Sequence, residues 1–261
     1  MTNSPAAYEG YGLAGRTVLV TGATGGIGQA VARAYAAAGA KVAVAHHSGA
    51  ERARRLADEL GAEAGRAYAV AYDLTDPESP GRAVAQVEER WGGLDVLVAG
   101  AIRWGVRRAP DTRFEDVPET DWVPFLGDNL VPAVRTVQRA VPGMRARGWG
   151  RVVLISSHNA LGGNRGQEFY GTAKAGLHGL ARSLMWDVGR DNVLVNMVAP
   201  GLTATPRVLE GLPEPVRDRE VRATPTGRLS TPEEVAAAVL FLGSAANGNI
   251  TGETLTVSGG R

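Results

Sequence analysis

Cysteine is absent from this 261-residue chain. That removes disulfides, iron–sulfur clusters and thiolate zinc sites together, and suits a reducing cytoplasm. A surplus of one charge is lacking too. The 28 basic and 27 acidic residues leave a net charge of +1 and are spread along the sequence, so nothing marks a surface for nucleic acid or an anionic membrane. No apolar stretch approaches the ~20 residues needed to cross a bilayer. Residues 1–14 have neither a basic start nor an apolar run, and read as an N-terminal extension rather than a signal peptide. The expected partner is a small molecule, with no nucleic acid, membrane or metal, and the expected compartment is the cytoplasm. Lysine is nearly missing as well, with two against twenty-six arginines. Together with 35 glycines and abundant alanine, that bias suggests a GC-rich bacterial genome.

One of the two lysines, Lys174, stands four residues after Tyr170 in Phe169-Tyr170-Gly171-Thr172-Ala173-Lys174. At i and i+4 on a helix the two side chains share a face, so an ammonium can favour ionisation of the phenol. A side chain of pKa ~10 then becomes usable as a proton donor and acceptor near neutrality. An isolated Tyr-x-x-x-Lys is more often an ordinary solvated helix face. The rest of the chain has to decide.

β-branched runs alternate with Ala-rich stretches of helical length. Strands are expected at 17–21, 41–45, 67–72, 94–99, 151–156, 193–199 and 254–257. Helices are expected at 27–38, 50–60, 77–90, 119–147, 169–188 and 232–242. Uninterrupted alternation predicts an α/β fold: one Rossmann-type doubly wound parallel sheet of about seven strands, helices on both faces, in a single domain over 15–261. The segment 202–228 breaks the rhythm. Pro206, Pro213, Pro215 and Pro225 interrupt it just after a strand's carboxyl end, so it reads as a substrate lid loop unable to build a packed element.

Directly after the first strand comes Thr21-Gly22-Ala23-Thr24-Gly25-Gly26-Ile27-Gly28. Glycines here let the backbone turn tightly and bring a pyrophosphate to a helix amino end, where free N–H groups favour anions. Joined to Tyr170-x-x-x-Lys174, the Gly22-x-x-x-Gly26-x-Gly28 spacing resembles the classical short-chain dehydrogenase/reductase family, over nearly the whole chain from about residue 15. The resemblance implies Ser157, thirteen residues before Tyr170, as the catalytic serine, with Ser156 the lesser alternative. It implies Asn129 as the holder of a proton-relay water, and Asp73, with Leu74 beside it, at the adenine amino group. Gly22, Thr24, Gly26, Ile27, Gly28, Ala99 and Gly100 would line the cofactor, as would Pro200, Gly201, Thr203 and Thr205 at its nicotinamide end.

One departure stands out: the family usually places Asn-Asn-Ala-Gly after the fourth strand, and this chain has Val98-Ala99-Gly100-Ala101. The missing asparagines remove side-chain bonds that would fix that loop. At the end of the second strand, His46, His47 and Ser48 occupy the place where NAD-preferring members carry an acid that repels a 2′-phosphate. With Arg52 one turn further on, NADP(H) is the expected cofactor, although the glycine loop lacks the basic residue that many NADP-binding relatives carry.

Hydride would then pass from NADPH to a carbonyl carbon, with Tyr170 protonating the oxygen, Ser157 holding it, and Lys174 lowering the Tyr170 pKa and binding ribose. The reaction centre is flanked by Trp104, His158, Asn159 and Gly163 as substrate contacts. Trp104, Trp149, Phe169 and Trp186 are candidates for an aromatic wall, although scattered aromatics more often pack in a core. The expected substrate is a bulky, largely apolar ketone of polyketide type, in bacterial secondary metabolism such as antibiotic biosynthesis. A 3-ketoacyl reductase, a sugar or simple alcohol dehydrogenase, and a non-catalytic NADP-binding redox sensor remain as alternatives. The resemblance also implies a homodimer or homotetramer, packed through 119–147 and 169–188.

Overall fold

Val, Leu and Ala fill both faces of the central strands, the pattern of a parallel sheet covered on two sides. In the computed structural model, which describes residues 10–105 and 107–261, β1 (Thr17–Thr21), β4 (Val96–Ala99), β5 (Gly150–Ile155) and β6 (Val193–Pro200) are buried along their lengths. With β2 (Lys41–His46), β3 (Ala67–Ala71) and β7 (Thr254–Val257) they form one seven-stranded, wholly parallel sheet in the order β3-β2-β1-β4-β5-β6-β7. The chain leaves β1 toward β2 and later returns to its other side as β4. The carboxyl ends of β1 and β4 therefore flank the topological switch point, where open α/β sheets bind their ligands.

Helices α1 (Gly26–Ala37), α2 (Ala50–Glu59) and α9 (Pro232–Leu242) cover one face, around Val18, Val20, Tyr35, Val44 and Val239. Helices α3 (Ser79–Trp91), α4 (Glu119–Ala146) and α6 (Glu168–Val188) cover the other, around Leu19, Leu97, Met144, Leu154 and Leu177. A capping box in which Thr231 and Glu234 exchange hydrogen bonds opens α9. The long helix α4 runs through Pro124, Pro132 and Pro142. Each proline removes one internal hydrogen bond, and Pro132 thereby frees the Asp128 carbonyl beside Asn129. Packing of α4 against α3 and α6 holds the helix together.

Two expectations need correction. Residues 1–9 of the expected extension lie outside the described residues, but the rest belongs to the body. Leu13 is fully buried in the core, and the Ala245 N–H donates to the Tyr11 carbonyl. The segment 202–228 does build structure: α7 (Pro206–Gly211) and α8 (Glu214–Arg222). Its prolines start these helices. Pro206 and Pro215 lie in first turns, where a missing N–H costs nothing, and Thr205 caps α7 through the Val208 N–H. Neither helix contains a fully buried residue, so they sit on the surface of the fold. A four-residue helix, α5 (Asn159–Gly162), also follows β5.

Candidate active site

Three segments converge at the carboxyl ends of β1, β4 and β5. The first is the glycine loop. Gly22 has φ +74°, and a Cβ there would lie 2.7 Å from the Gly100 carbonyl oxygen, while one at Gly28 would lie 2.1 Å from the Gly22 oxygen. The close turn is therefore closed to any side chain. Gly25 precedes α1 with no side-chain cap, and the first turn carries no acid. Its N–H groups thus have no competitor for an anion, which fits a cofactor pyrophosphate. A Cβ at Gly26 would meet Thr205 at 2.7 Å, so the turn after β6 lies directly against the glycine loop. Pro200, Gly201 and Thr203 form that turn. Gly201 N–H donates to Val257, Thr203 Oγ1 to the Gly201 carbonyl, and the Pro200 carbonyl accepts from His158 N–H.

The second segment follows β4. In place of asparagines, the Thr21 hydroxyl accepts from the Gly100 and Ala101 N–H groups at 3.0 and 3.1 Å. Asn129 Oδ1 accepts from Arg103 N–H at 2.8 Å, and its Nδ2 donates to the Arg103 and Phe125 carbonyls at 3.0 and 2.9 Å. Both amide hydrogens of Asn129 are thus engaged, and its side chain anchors this loop. Further along, Arg108 pairs with Glu168 at 2.7 Å, which drives the Glu168 pKa down to about 2, and Arg107 donates to Asn164 and the Arg165 carbonyl. The loop is stitched to the start of α6 by groups that carried no motif signal.

The third segment carries the chemistry. Ser157, just beyond the end of β5, is buried and pairs with Tyr170 in the first turn of α6, lowering its pKa. It also accepts from Asn159 N–H at 3.2 Å. Ser156 points elsewhere: its Oγ lies 2.6 Å from His178 Nε2 and donates to the Lys174 carbonyl at 3.3 Å. Geometry thus separates the two serines. Asn159 donates its side-chain N–H to Gln167, His158 packs against Gly162, and Gly163 ends α5 at φ +70°.

Lys174 is buried, and its Nζ donates to the Ile155 carbonyl at 2.8 Å; burial lowers its pKa to about 8. The Tyr170 phenol is raised above its ordinary value by burial, which outweighs the lowering hydrogen bond to Ser157. The expected depression by Lys174 is therefore corrected in its net direction. The phenol is held protonated at neutral pH, the form a proton donor requires.

Of the aromatic candidates, Trp104 lies over Tyr170, with ring centroids 6.4 Å apart and planes 13° apart, and Arg207 of α7 stands over the outer Trp104 face at 4.8 Å. Phe169 instead stacks between Phe114 and Trp122. Trp149 is held under Arg16 and Arg151 just ahead of β5, at the amino ends of the strands and away from the site, and Trp186 is 82% exposed near the end of α6. Those two do not belong to a wall.

At the end of β2, a Cβ on Gly49 would lie 3.5 Å from Arg52 Nη2 and 3.7 Å from Thr24 Oγ1, so guanidinium and hydroxyl converge there. His46 Nδ1 faces the His47 carbonyl, and His47 Nε2 stands 3.5 Å from Asp73. The other Asp73 oxygen accepts from the Thr75 N–H and hydroxyl, each at 2.8 Å, which lowers its pKa. Leu74 is half-buried against the core beside it.

A family model described as enoyl-(acyl carrier protein) reductase matches residues 22–261. The 3-oxoacyl-[acyl-carrier-protein] reductase FabG of Aquifex aeolicus is 39% identical over 249 residues, 95% of this chain and 98% of its own. The chain belongs to the short-chain dehydrogenase/reductase family. An acetoacetyl-CoA reductase of Rhizobium meliloti is 37% identical, covering 94% of this chain and 98% of its own. An L-rhamnose 1-dehydrogenase of Azotobacter vinelandii is 38% identical, with 94% and 96% covered. As a short-chain reductase the protein is an NAD(P)-dependent oxidoreductase. Among the described residues no helix is long and apolar enough to cross a membrane.

Proposed function

We propose that this short-chain reductase uses NADPH to reduce the ketone of a 3-oxoacyl thioester to a hydroxyl. The observation that carries it is the pairing of buried Ser157 with the half-buried Tyr170 phenol, which burial holds protonated, beside a glycine loop whose helix end is left open to a phosphate. The relatives favour a 3-oxoacyl substrate over the bulky aromatic polyketide expected from sequence, since FabG and acetoacetyl-CoA reductase are both named for 3-oxoacyl groups. Ser157 donates its hydroxyl hydrogen to the substrate carbonyl oxygen, and Tyr170 delivers the proton to that oxygen as charge develops. Lys174, whose Nζ is seated on the Ile155 carbonyl, would hold the cofactor ribose and supply positive charge near the phenol once the cofactor is bound. Bound NADPH supplies the hydride. Gly22, Thr24, Gly26, Ile27 and Gly28 would hold its pyrophosphate, Asp73 and Leu74 its adenine, and Ala99, Gly100, Pro200, Gly201, Thr203 and Thr205 its nicotinamide half. Trp104, with His158, Asn159 and Gly163, would border the acyl chain. A pure redox sensor would have no use for the buried serine and the tyrosine paired with it.

Loss of NADPH absorbance with acetoacetyl-CoA, 3-oxoacyl N-acetylcysteamine thioesters and a polycyclic aromatic ketone, set against gain of NADPH absorbance with L-rhamnose and NADP+, tests this reading. Turnover should be fastest with the thioesters; turnover of rhamnose alone would replace the reading by a sugar dehydrogenase. Arg52 and Thr24 over Gly49, with no carboxylate in His46, His47 or Ser48, support NADPH over NADH by at least about tenfold, ~1.4 kcal/mol of differential binding. Equal kcat/KM for both cofactors would refute that assignment.

The helices α7 and α8 close over the substrate as a lid in this reading. Arg207 reaches Trp104 from α7, while the base is tied down by Ala204 N–H to Ser230, Thr226 N–H to Gly259 and the Arg261–Glu220 pair. Amide exchange across 206–222 should slow when NADPH and substrate bind, and unchanged exchange in active enzyme would remove the lid. A groove of about 620 Å³ between α4 and α6, lined by Val134, Val137, Val141, Leu180 and Leu184, supports a dimer or tetramer formed through these helices. Light scattering at micromolar concentration should give at least twice the monomer mass, and a monomer would contradict it.

A further inference from the structure

His178 and Ser156 are buried, polar and unused by the reaction just described. His178 lies one helical turn beyond Lys174 on the same face of α6. Its Nε2 is 2.6 Å from Ser156 Oγ on the last residues of β5, and its Nδ1 is 3.2 Å from Thr254 Oγ1 on β7. One imidazole thus joins α6 to both strands that flank β6.

Two further bonds run through the same place. Ser156 Oγ donates to the Lys174 carbonyl at 3.3 Å, and Lys174 Nζ donates to the Ile155 carbonyl at 2.8 Å. Ile155, Ser156 and Ser157 are consecutive, so the strand end that carries the catalytic serine is tied to the helix that carries Tyr170 and Lys174. Neutral imidazole meets the requirement, with one nitrogen donating and the other accepting. Burial and the nearby Arg182 lower the His178 pKa, which keeps it neutral. An apolar side chain here would pack as well, yet it would take the nitrogen partner from both hydroxyls and leave that of Ser156 buried.

We infer that His178, with Ser156 and Thr254, is a positioning residue that fixes the register of β5 against α6 and so sets how Ser157 and Tyr170 are placed relative to one another around the carbonyl oxygen that Tyr170 protonates. The inference rests on the reading of Ser157, Tyr170 and Lys174 as the catalytic set. A misplacement of about 1 Å at such a site can lower turnover by ~10²-fold without touching substrate affinity. The effect belongs in kcat.

Kinetics of His178→Leu, His178→Gln and Ser156→Ala, with NADPH affinity and melting temperature measured on each, test it. Turnover by the wild type under the same conditions separately decides the catalytic reading. In His178→Leu, kcat should fall ten- to a hundredfold at a temperature well below its melting point, while KM and NADPH affinity change less than about threefold. His178→Gln, which keeps a donor and an acceptor, should recover most of the loss. If His178→Leu does not fold, Ser156→Ala carries the same expectation with only one oxygen removed. A lowered melting temperature with wild-type kcat in the leucine or alanine variant would overturn the inference, as would equal losses in the leucine and glutamine variants.

Discussion

Tyr170→Phe lowers kcat by at least about a hundredfold and toward the ten-thousandfold range of general-acid catalysis, while NADPH affinity stays within about twofold of wild type. The substitution removes a single oxygen. That oxygen stands with Ser157 and is kept protonated by burial, so it can give a proton to a carbonyl oxygen. The Trp104 ring, lying nearly parallel at 6.4 Å, has the same face to pack on in the phenylalanine variant, and stability should change little. Steady-state kinetics and fluorescence titration with NADPH check both parts. Residual activity within tenfold of wild type would mean that another acid acts.

Lys174→Arg is damaging although it keeps the charge. Lys174 is 4% exposed and seats its compact ammonium against the Ile155 carbonyl. A forked guanidinium needs more room and several acceptors, and forcing it in strains the packing by roughly 1–3 kcal/mol. The kcat/KM should drop at least about a hundredfold, by the same misplacement argument as for any group at a reacting centre, and NADPH should bind more weakly. The pH dependence separates this from a general loss of fold. Burial lowers the free-enzyme Lys174 pKa to about 8, so its charge is complete well below pH 8 and lost as pH rises through that value. Wild-type kcat/KM should therefore fall through pH 8. The residual activity of the arginine variant should lack that limb, since a guanidinium keeps its proton. Wild-type kinetics in the variant, or the same limb in both proteins, would contradict this role.

The sheet was legible because its strands are short β-branched runs bounded by glycine and separated by helical stretches; strand 254–257 and the other strands and the six main helices lie within two residues of where the pattern puts them. The site was legible where a motif fixes the backbone, as at Gly22, Gly26 and Gly28, or where spacing fixes a helix face, as at Tyr170 and Lys174. The segment 202–228 misled because proline was read as a breaker. At Pro206 and Pro215 it stands in a first turn, where its rigid φ suits a helix. Position within the element, not residue type, decides the sign of its effect.

The missing asparagines misled in a different way. Their work falls to Thr21 and Asn129, residues far from the loop in sequence whose partners are backbone groups of Gly100, Ala101 and Arg103. No local pattern announces such long-range bonds. Trp149 and Trp186 show the same limit from the other side, since aromatic content says nothing about which end of the strands or which helix face a ring occupies. The direction of the Tyr170 shift was misjudged because burial cannot be read from a four-residue spacing.

The central claim is hydride transfer to a carbonyl with Tyr170 supplying the proton, and a single-turnover experiment with NADPH deuterated at C4 tests it most directly. With a 3-oxoacyl thioester, wild-type enzyme should place deuterium on the new carbinol carbon, seen as a one-mass-unit increase in the 3-hydroxyacyl product, and Tyr170→Phe with bound NADPH should form almost none. Product lacking deuterium at that carbon, or labelled product formed by Tyr170→Phe at the wild-type rate, would contradict it.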